Sequence, residues 1–458
     1  MVDNTEQARE LYDRALNAAG GEDFAAALRL LDRVIELDPD FAEAHYKRGN
    51  ALKRLGQLQA AVASYDQAIE RNPRFAHAYC NRGVVQQALG MNADALQSYE
   101  QAAIHNPIDA LTHYNRALLL QEFSRWDEAI ASYDLAISAD PAFTDAQYNR
   151  SLALLYCGHF EEGWRSYESR WKLAGRLGIG ELKTFSQGLW LGGKSLARKR
   201  LLLHSEGGLG DTLQFCRYAA LAAELGAEVY LEVESPLRAV LAKLDGLAGI
   251  IERGSELPEF DYHCPLMSLP LAFDTTLNNV PPPAKPLQSD ATRQWHWDSM
   301  TRAAGAPRVG LVWSGNPQNP TDRRRSVRLA ELIARLPAEY RYYRLQRDIS
   351  EQDKPLLASC SFINSNDEDV QDFLHIAALC KCMDLVISVD TSVAHLSASL
   401  GRPTWLMLPL VPDWRWLRGR QDSPWYPTMR IFRQETSGDW GEVFRRIAAD
   451  LRREFPRQ

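Results

Sequence analysis

Four prolines recur at one fixed interval, at Pro39, Pro73, Pro107 and Pro141. Each closes a segment of the same grammar: DFAAALRLLDRVIELDP (23–39), QLQAAVASYDQAIERNP (57–73), MNADALQSYEQAAIHNP (91–107) and RWDEAIASYDLAISADP (125–141). Small residues recur at Ala27, Ala61, Ala95 and Ala129, and bulky ones at Leu31, Tyr65, Tyr99 and Tyr133. A fixed period of this length means one supersecondary unit per repeat, and two close-packed antiparallel helices meet the small-and-bulky pattern. One such unit cannot bury its apolar face alone, so the units must stack into a continuous core with an extended concave surface.

The period is that of tetratricopeptide repeats, and an all-α superhelix is expected over residues 1–178. A fifth unit, AQYNRSLALLYCGHFEEGWRSYESRW (146–171), has Gly163 in the small position and no closing proline, which predicts a capping unit. A polar ladder runs through the first helix of each unit. Asn81, Asn115 and Asn149 recur at the period, with Lys47 at the earlier equivalent position, and each is followed by an arginine: Arg48, Arg82, Arg116 and Arg150. Copying of solvated polar residues accounts for the arginines as well as function does. An amide both donates and accepts, so a row of asparagines is a sequence-tolerant way to hold a polypeptide backbone. The array therefore predicts a protein partner without saying which.

Past residue 180 the grammar changes to alternating strands and helices. Strands are expected at 200–204, 227–233, 308–314, 340–346, 360–365, 384–390 and 404–409, with helical patterns between most of them. Such alternation predicts parallel sheets with crossover helices. The proline-rich VPPPAKPL (280–287) divides the region into halves, expected at 179–287 and 288–458, and GDWGEVFRRIAADLRREF (438–455) is an amphipathic helix. Two Rossmann-type halves facing a cleft are the expected arrangement, with ligands beyond the carboxyl ends of the strands.

The loop HSEGGLGDTLQF (204–215) follows the first of these strands. It is not the dinucleotide fingerprint, because Leu213 stands where the last glycine belongs, and it lacks the Gly-Lys-Ser/Thr of a phosphate loop. What remains is Asp211 after Gly207, Gly208 and Gly210, in a turn that lets a ligand approach the backbone. Helix capping is the competing role for Asp211. In the second half, DLVISVDTSVAHLSASLGRP (384–403) runs from a strand through Asp390, Thr391 and Ser392 into a helix carrying His395, and a helix start is a seat for phosphate. Upstream, SGNPQNPTDRRRS (314–326) offers Ser314, Asn316, Arg323, Arg324 and Arg325, whose guanidinium groups can neutralise a diphosphate. A three-arginine run is equally at home in a solvated loop, and a single histidine in packing. Gln346, Trp414 and Trp416 can line a nucleotide or sugar pocket, or simply pack strand ends.

Together GGLGDTLQF, VGLVWSGNPQNPTDRRRS, DLVISVDTSVAHLSASLGRP and DWRWLRGRQDSPWYPTMRIFRQ (413–434) resemble bacterial tetratricopeptide-repeat glycosyltransferases, whose catalytic part is similar to the heptosyltransferases of lipopolysaccharide synthesis, glycosyltransferase family 9. The resemblance covers nearly the whole chain. It implies the two-Rossmann GT-B fold, a nucleotide-sugar donor as substrate, no other cofactor and no bound metal. It places Asp211 as general base; Gly208 and Gly210 are substrate-binding candidates because their turn lets a ligand come close to the backbone. It matches Asp390, Thr391, Ser392 and His395 to the donor-binding Asp-Ser/Thr-Gly-x-x-His element, with Ser392 in place of the glycine.

The chemistry expected is removal of the acceptor hydroxyl's proton by Asp211 while arginines and a helix start stabilise the departing phosphate. The expected activity is inverting transfer of a sugar to a protein held by the repeats, with flagellin or another surface protein as the acceptor that similar bacterial proteins suggest. Two other expectations stand beside it: a lipopolysaccharide or lipid-linked acceptor, and a catalytically inactive repeat scaffold that binds nucleotide. Fifty-two basic against 59 acidic side chains, net −7, leave no footprint for nucleic acid. Without an apolar run long enough for a bilayer or a signal-like start, a cytoplasmic location is expected. The seven cysteines are scattered and fit reduced thiols.

Overall fold

A computed structural model describes residues 4–177, 182–283, 285–301, 307–316, 322–360, 363–364 and 372–456. The chain divides into two compact units, Met1–Ala153 and Leu154–Gln458.

The first unit is a tetratricopeptide array. Its helices come in antiparallel pairs: Asn4–Gly20 with Phe24–Leu37, Ala42–Arg54 with Leu58–Arg71, Ala76–Ala88 with Asn92–His105, and Ala110–Glu122 with Trp126–Ala139. The periodic alanines and tyrosines are buried, as close packing of such pairs requires. Gly49 and Gly83 are glycines for the same reason: a Cβ there would fall 2.5 and 2.7 Å from the rings of Tyr65 and Tyr99. A second ladder is visible only in the backbone. Glu22, Gly56, Gly90, Ser124 and Gly158, spaced at the same period as the prolines, each have φ between 58° and 86° at the turn between paired helices. Glycine adopts that left-handed conformation without a Cβ penalty, whereas Glu22 and Ser124 do so under strain.

The arginines that follow the asparagines tie the helices together rather than simply facing solvent. Arg48 bonds Asp32 and Ser64, at 2.7 Å each, and Arg82 repeats the pattern with Asp66 at 2.7 Å and Ser98 at 3.0 Å. Arg116 reaches Ser132 at 2.9 Å and Arg150 reaches Asp134 at 2.5 Å.

The second unit begins earlier than the expected boundary at 178. Leu154 onward belongs to it because the helix Phe160–Tyr167 supplies Phe160, Trp164 and Tyr167 to its aromatic core: Trp164 meets Trp414 at 5.2 Å and Phe215 at 6.3 Å between ring centroids. Gly163 faces Leu155, whose side chain leaves no room for a methyl group.

Two sheets follow, parallel throughout. The first contains β1 (Gly188–Leu189), β2 (Arg200–His204), β3 (Glu228–Val233), β4 (Leu247–Glu252) and β5 (Tyr262–Pro265) in the order β1-β5-β2-β3-β4. The second contains β6 (Arg308–Val312), β7 (Arg341–Arg344), β8 (Ile363–Asn364), β9 (Leu385–Val389), β10 (Thr404–Leu408) and β11 (Met429–Arg433) in the order β11-β10-β9-β6-β7-β8. All seven expected strands form; β1, β4, β5 and β11 went unread because they are short or lack a continuous apolar run. Strand order reverses between β2 and β5 in one sheet and between β6 and β9 in the other, so each sheet opens a crevice at the carboxyl ends of those strands. Trp440, Val443, Ile447 and Leu451 bury the inner face of the closing helix Trp440–Glu454.

Candidate functional site

The loop after β2 is held from beneath by a buried ion pair. Glu206 accepts from Arg170 Nε at 3.1 Å and Nη2 at 3.0 Å, and from the Met267 backbone N–H at 2.9 Å. Arg170 also donates to Glu168 at 2.6 Å and Ser268 at 2.7 Å. Both partners are almost fully buried, so the fork-to-carboxylate geometry fixes where the chain leaves the sheet.

Gly208 then caps the helix Leu209–Phe215, and Asp211 is its third residue. Asp211 Oδ2 accepts the Gly208 N–H at 2.7 Å, the return half of a capping box. Capping and site chemistry are therefore not alternatives for this residue, since its other oxygen, Oδ1, faces Arg415 and accepts from Nη2. Gly207 must be glycine for this fold-back, because a Cβ would meet Asp211 Oδ2 at 2.2 Å. Gly208 is exposed, and Gly210 lies so close to His395 that a Cβ would fall 2.9 Å from its Cδ2.

From the other sheet, β9 delivers Asp390 and Thr391 to the start of the helix Ser392–Ser399. His395, on that helix, is buried; burial, and then Arg415, Arg217 and Arg325, hold its pKa well below the ordinary value, so it is neutral. Its Nδ1 and the Tyr426 hydroxyl share a 2.8 Å hydrogen bond, its Nε2 lies 3.9 Å from Asp390 Oδ1, and its ring rests on Trp416 at 5.3 Å. Asp390 is pushed up to about 6, first by burial and then by the neighbouring Asp413 carboxylate. Trp416, Arg325 and Arg415 oppose that rise. Thr391 Oγ1 lies 3.3 Å from Ser388 Oγ, and Ser392 is half-buried at the first helical position.

The loop after β6 arrives at the same place. Gln346 is committed to holding it: Oε1 accepts the N–H groups of Trp313 at 2.8 Å and Ser314 at 3.2 Å, and Nε2 donates to Ser314 Oγ at 2.8 Å and Asp348 O at 3.0 Å. Gln346 and Ser314 thus shape the loop. Asn316 and Arg324 are exposed, while Arg325 is anchored through Asp322 at 3.0 Å and acts electrostatically on Asp390 and His395. The Arg323 side chain and residues 317–321 lie outside the described residues.

Sequence reasoning missed Arg415, Asp413, Tyr426 and Gln214. Arg415 is buried and donates through Nε to Gln214 at 2.9 Å, through Nη1 to Asp413 at 2.9 Å and through Nη2 to Asp211. It also stacks over Trp414 at 4.4 Å. Arg415, Asp413 and Tyr426 lie in DWRWLRGRQDSPWYP, a stretch without periodicity, and nothing local marks which arginine turns inward. Trp414 and Trp416 are buried and floor the cluster.

In the repeats, the asparagine ladder is spent within the array. Asn81 Nδ2 donates to Tyr46 Oη at 3.0 Å and Asn50 Oδ1 at 2.9 Å, and Asn149 Nδ2 to Tyr114 Oη at 3.0 Å and the Asp145 carbonyl at 3.0 Å. Asn115 occupies the equivalent place beside Cys80. Amide donors of Asn81 and Asn149, expected to hold a peptide, thus also bond the preceding repeat.

Comparison with known proteins agrees with the first unit. Residues 21–56 and 49–90 match the family described as TPR repeat, and residues 80–146 the family described as Tetratricopeptide repeat. Protein FlbA of Caulobacter vibrioides (strain ATCC 19089 / CIP 103742 / CB 15) is 27% identical over 315 residues, 63% of this chain. That alignment is longer than the first unit, so the likeness continues into the second. The chain spans about half, 52%, of that relative's length. Among solved structures, MamA residues 41-end from Desulfovibrio magneticus RS-1 is 22% identical, covering 38% of this chain and 96% of that one at a TM-score of 0.33. YrrB, described as a TPR protein with an unusual peptide-binding site, is 21% identical, covering 36% and 84% at 0.32.

Proposed function

We propose that the second unit is a glycosyltransferase that moves a sugar from a nucleotide-sugar to a polypeptide acceptor, and that the repeat array recruits that acceptor. The observation that carries this reading is convergence. The loop after β2 brings Asp211, and the loops after β6 and β9 bring Arg325, Asp390, Thr391 and His395, into one cluster between two parallel sheets. That is where open α/β sheets bind ligands.

In this reading the start of Ser392–Ser399 and Arg325, with exposed Arg324 beside it, receive the donor's phosphates. Asp211, a quarter exposed along its side chain, accepts the proton of the acceptor hydroxyl as that oxygen attacks the anomeric carbon. Two carboxylate oxygens offer more acceptor positions than the two already engaged, so a hydroxyl can still bond there. Neutral His395 braces the helix start through Tyr426, and the resemblance implies transfer without a bound metal.

The test is a calorimetric titration with UDP, GDP, ADP and CMP in chelator, followed by transfer assays using the sugar conjugates of the nucleotide that binds. The expected result is one saturable nucleotide class, weakened by Arg325→Ala, with turnover abolished by Asp211→Asn. Folded protein that binds none of them would replace the enzyme with a scaffold. Turnover on lipid-linked sugars and not on polypeptides would move the acceptor to the lipid class.

A further inference from the structure

Two carboxylates, Asp211 and Asp413, pair with Arg415, and Asp390 feels its charge together with that of Arg325. Arg415 comes from the segment after β10, on the donor half, yet its Nη2 is given to Asp211 on the opposite half. Its three bonds, to Gln214, Asp413 and Asp211, use the guanidinium in three directions, and stacking on Trp414 fixes the plane. A guanidinium held so firmly is a pre-organised phosphate ligand, and it is already paired with carboxylates.

We propose that Arg415 is a contested latch, bound to Asp211 until the diphosphate of an anionic donor draws it off. The inference rests on the reading of this cluster as a nucleotide-sugar site, and names its regulation. Asp211 and the phosphate compete for one cation, so the base is released when the donor is in place. An acceptor hydroxyl then meets an unlatched carboxylate only in the ternary complex, which protects the donor from premature attack by water. Arg415 thus binds the diphosphate and, by leaving Asp211, frees the base.

Competition predicts a sign opposite to that of a simple binding role. Inorganic pyrophosphate is the probe, titrated calorimetrically into the full chain in chelator at pH 7.5. Asp211→Asn removes one competing charge a few ångströms from the guanidinium and is expected to tighten pyrophosphate about tenfold. Arg415→Met should weaken the binding by about tenfold or more, Arg415→Lys should restore part of it, and Asp211→Asn added to Arg415→Met should gain nothing. If wild type binds pyrophosphate and Asp211→Asn binds it equally or more weakly, the latch is overturned while the donor-site reading stands. If neither wild type nor Asp211→Asn binds pyrophosphate or any nucleotide, both fall. Should Arg415→Met fail to fold, Asp211→Asn, a change at a partly exposed residue, still decides the matter.

Discussion

Asp390 offers the sharpest energetic prediction. Burial and Asp413 push its pKa to about 6, against an ordinary 3.8. Below pH 3.8 the folded and unfolded chains both hold this proton. As pH rises from 3.8 to about 6, the unfolded chain ionises while the folded one does not, so stability falls with rising pH. At about 1.4 kcal/mol per pH unit the gap amounts to roughly 3 kcal/mol, fully expressed above pH 7. Asp390→Asn has no proton to lose, so the stability of the variant relative to wild type should climb by about 2.4 kcal/mol between pH 4 and pH 7.5. His204, which burial holds down to about 3, runs the opposite way over the same range: its contribution is present above its ordinary 6.5 and is lost as pH falls toward 3. It is common to both proteins and cancels in the difference. Urea unfolding followed by tryptophan fluorescence is a suitable assay, because of 12 tryptophans only Trp126 precedes Leu154, so the signal reports the second unit. A variant-minus-wild-type difference that stays flat with pH, or falls as pH rises, refutes the placement of Asp390 as a partly buried carboxyl beside another carboxylate.

Two further outcomes follow from packing and backbone. Arg170→Ala strands Glu206 as a buried charge and should destabilise the second unit by about 3–5 kcal/mol in the same fluorescence assay, with partial rescue by Glu206→Gln; a loss under about 1 kcal/mol would show that the pair is not holding the loop. Ser124→Gly relieves a left-handed backbone at φ 58° and should raise stability by about 0.5–1 kcal/mol, read as a higher thermal midpoint for the repeat unit by circular dichroism, whereas a lower midpoint would contradict the strain assigned to that turn.

The sequence alone determined the repeats, because their information is local and recurs: prolines, alanines and tyrosines returning at one constant period are enough to specify stacked helix pairs. It also determined the parallel α/β character of the second unit, since buried strands advertise themselves as apolar runs. It singled out Asp211 and the Asp390–His395 stretch as candidates by their place after strands. The tertiary structure decided what those residues face. Asp211 and Arg415 are 204 positions apart, and no spacing in the chain marks them as partners. The asparagine ladder shows the converse, in that the periodicity at Asn81 and Asn149 reads as a binding stripe while their Nδ2 groups bond a tyrosine of the preceding repeat. A periodic pattern reports which face of a helix a side chain occupies, but whether that face meets a ligand or the neighbouring helix depends on what folds against it. The unit boundary at Leu154 was settled in the same way: Trp164, on a repeat-like helix, finds its partners in Phe215 and Trp414, which no local pattern ties to it.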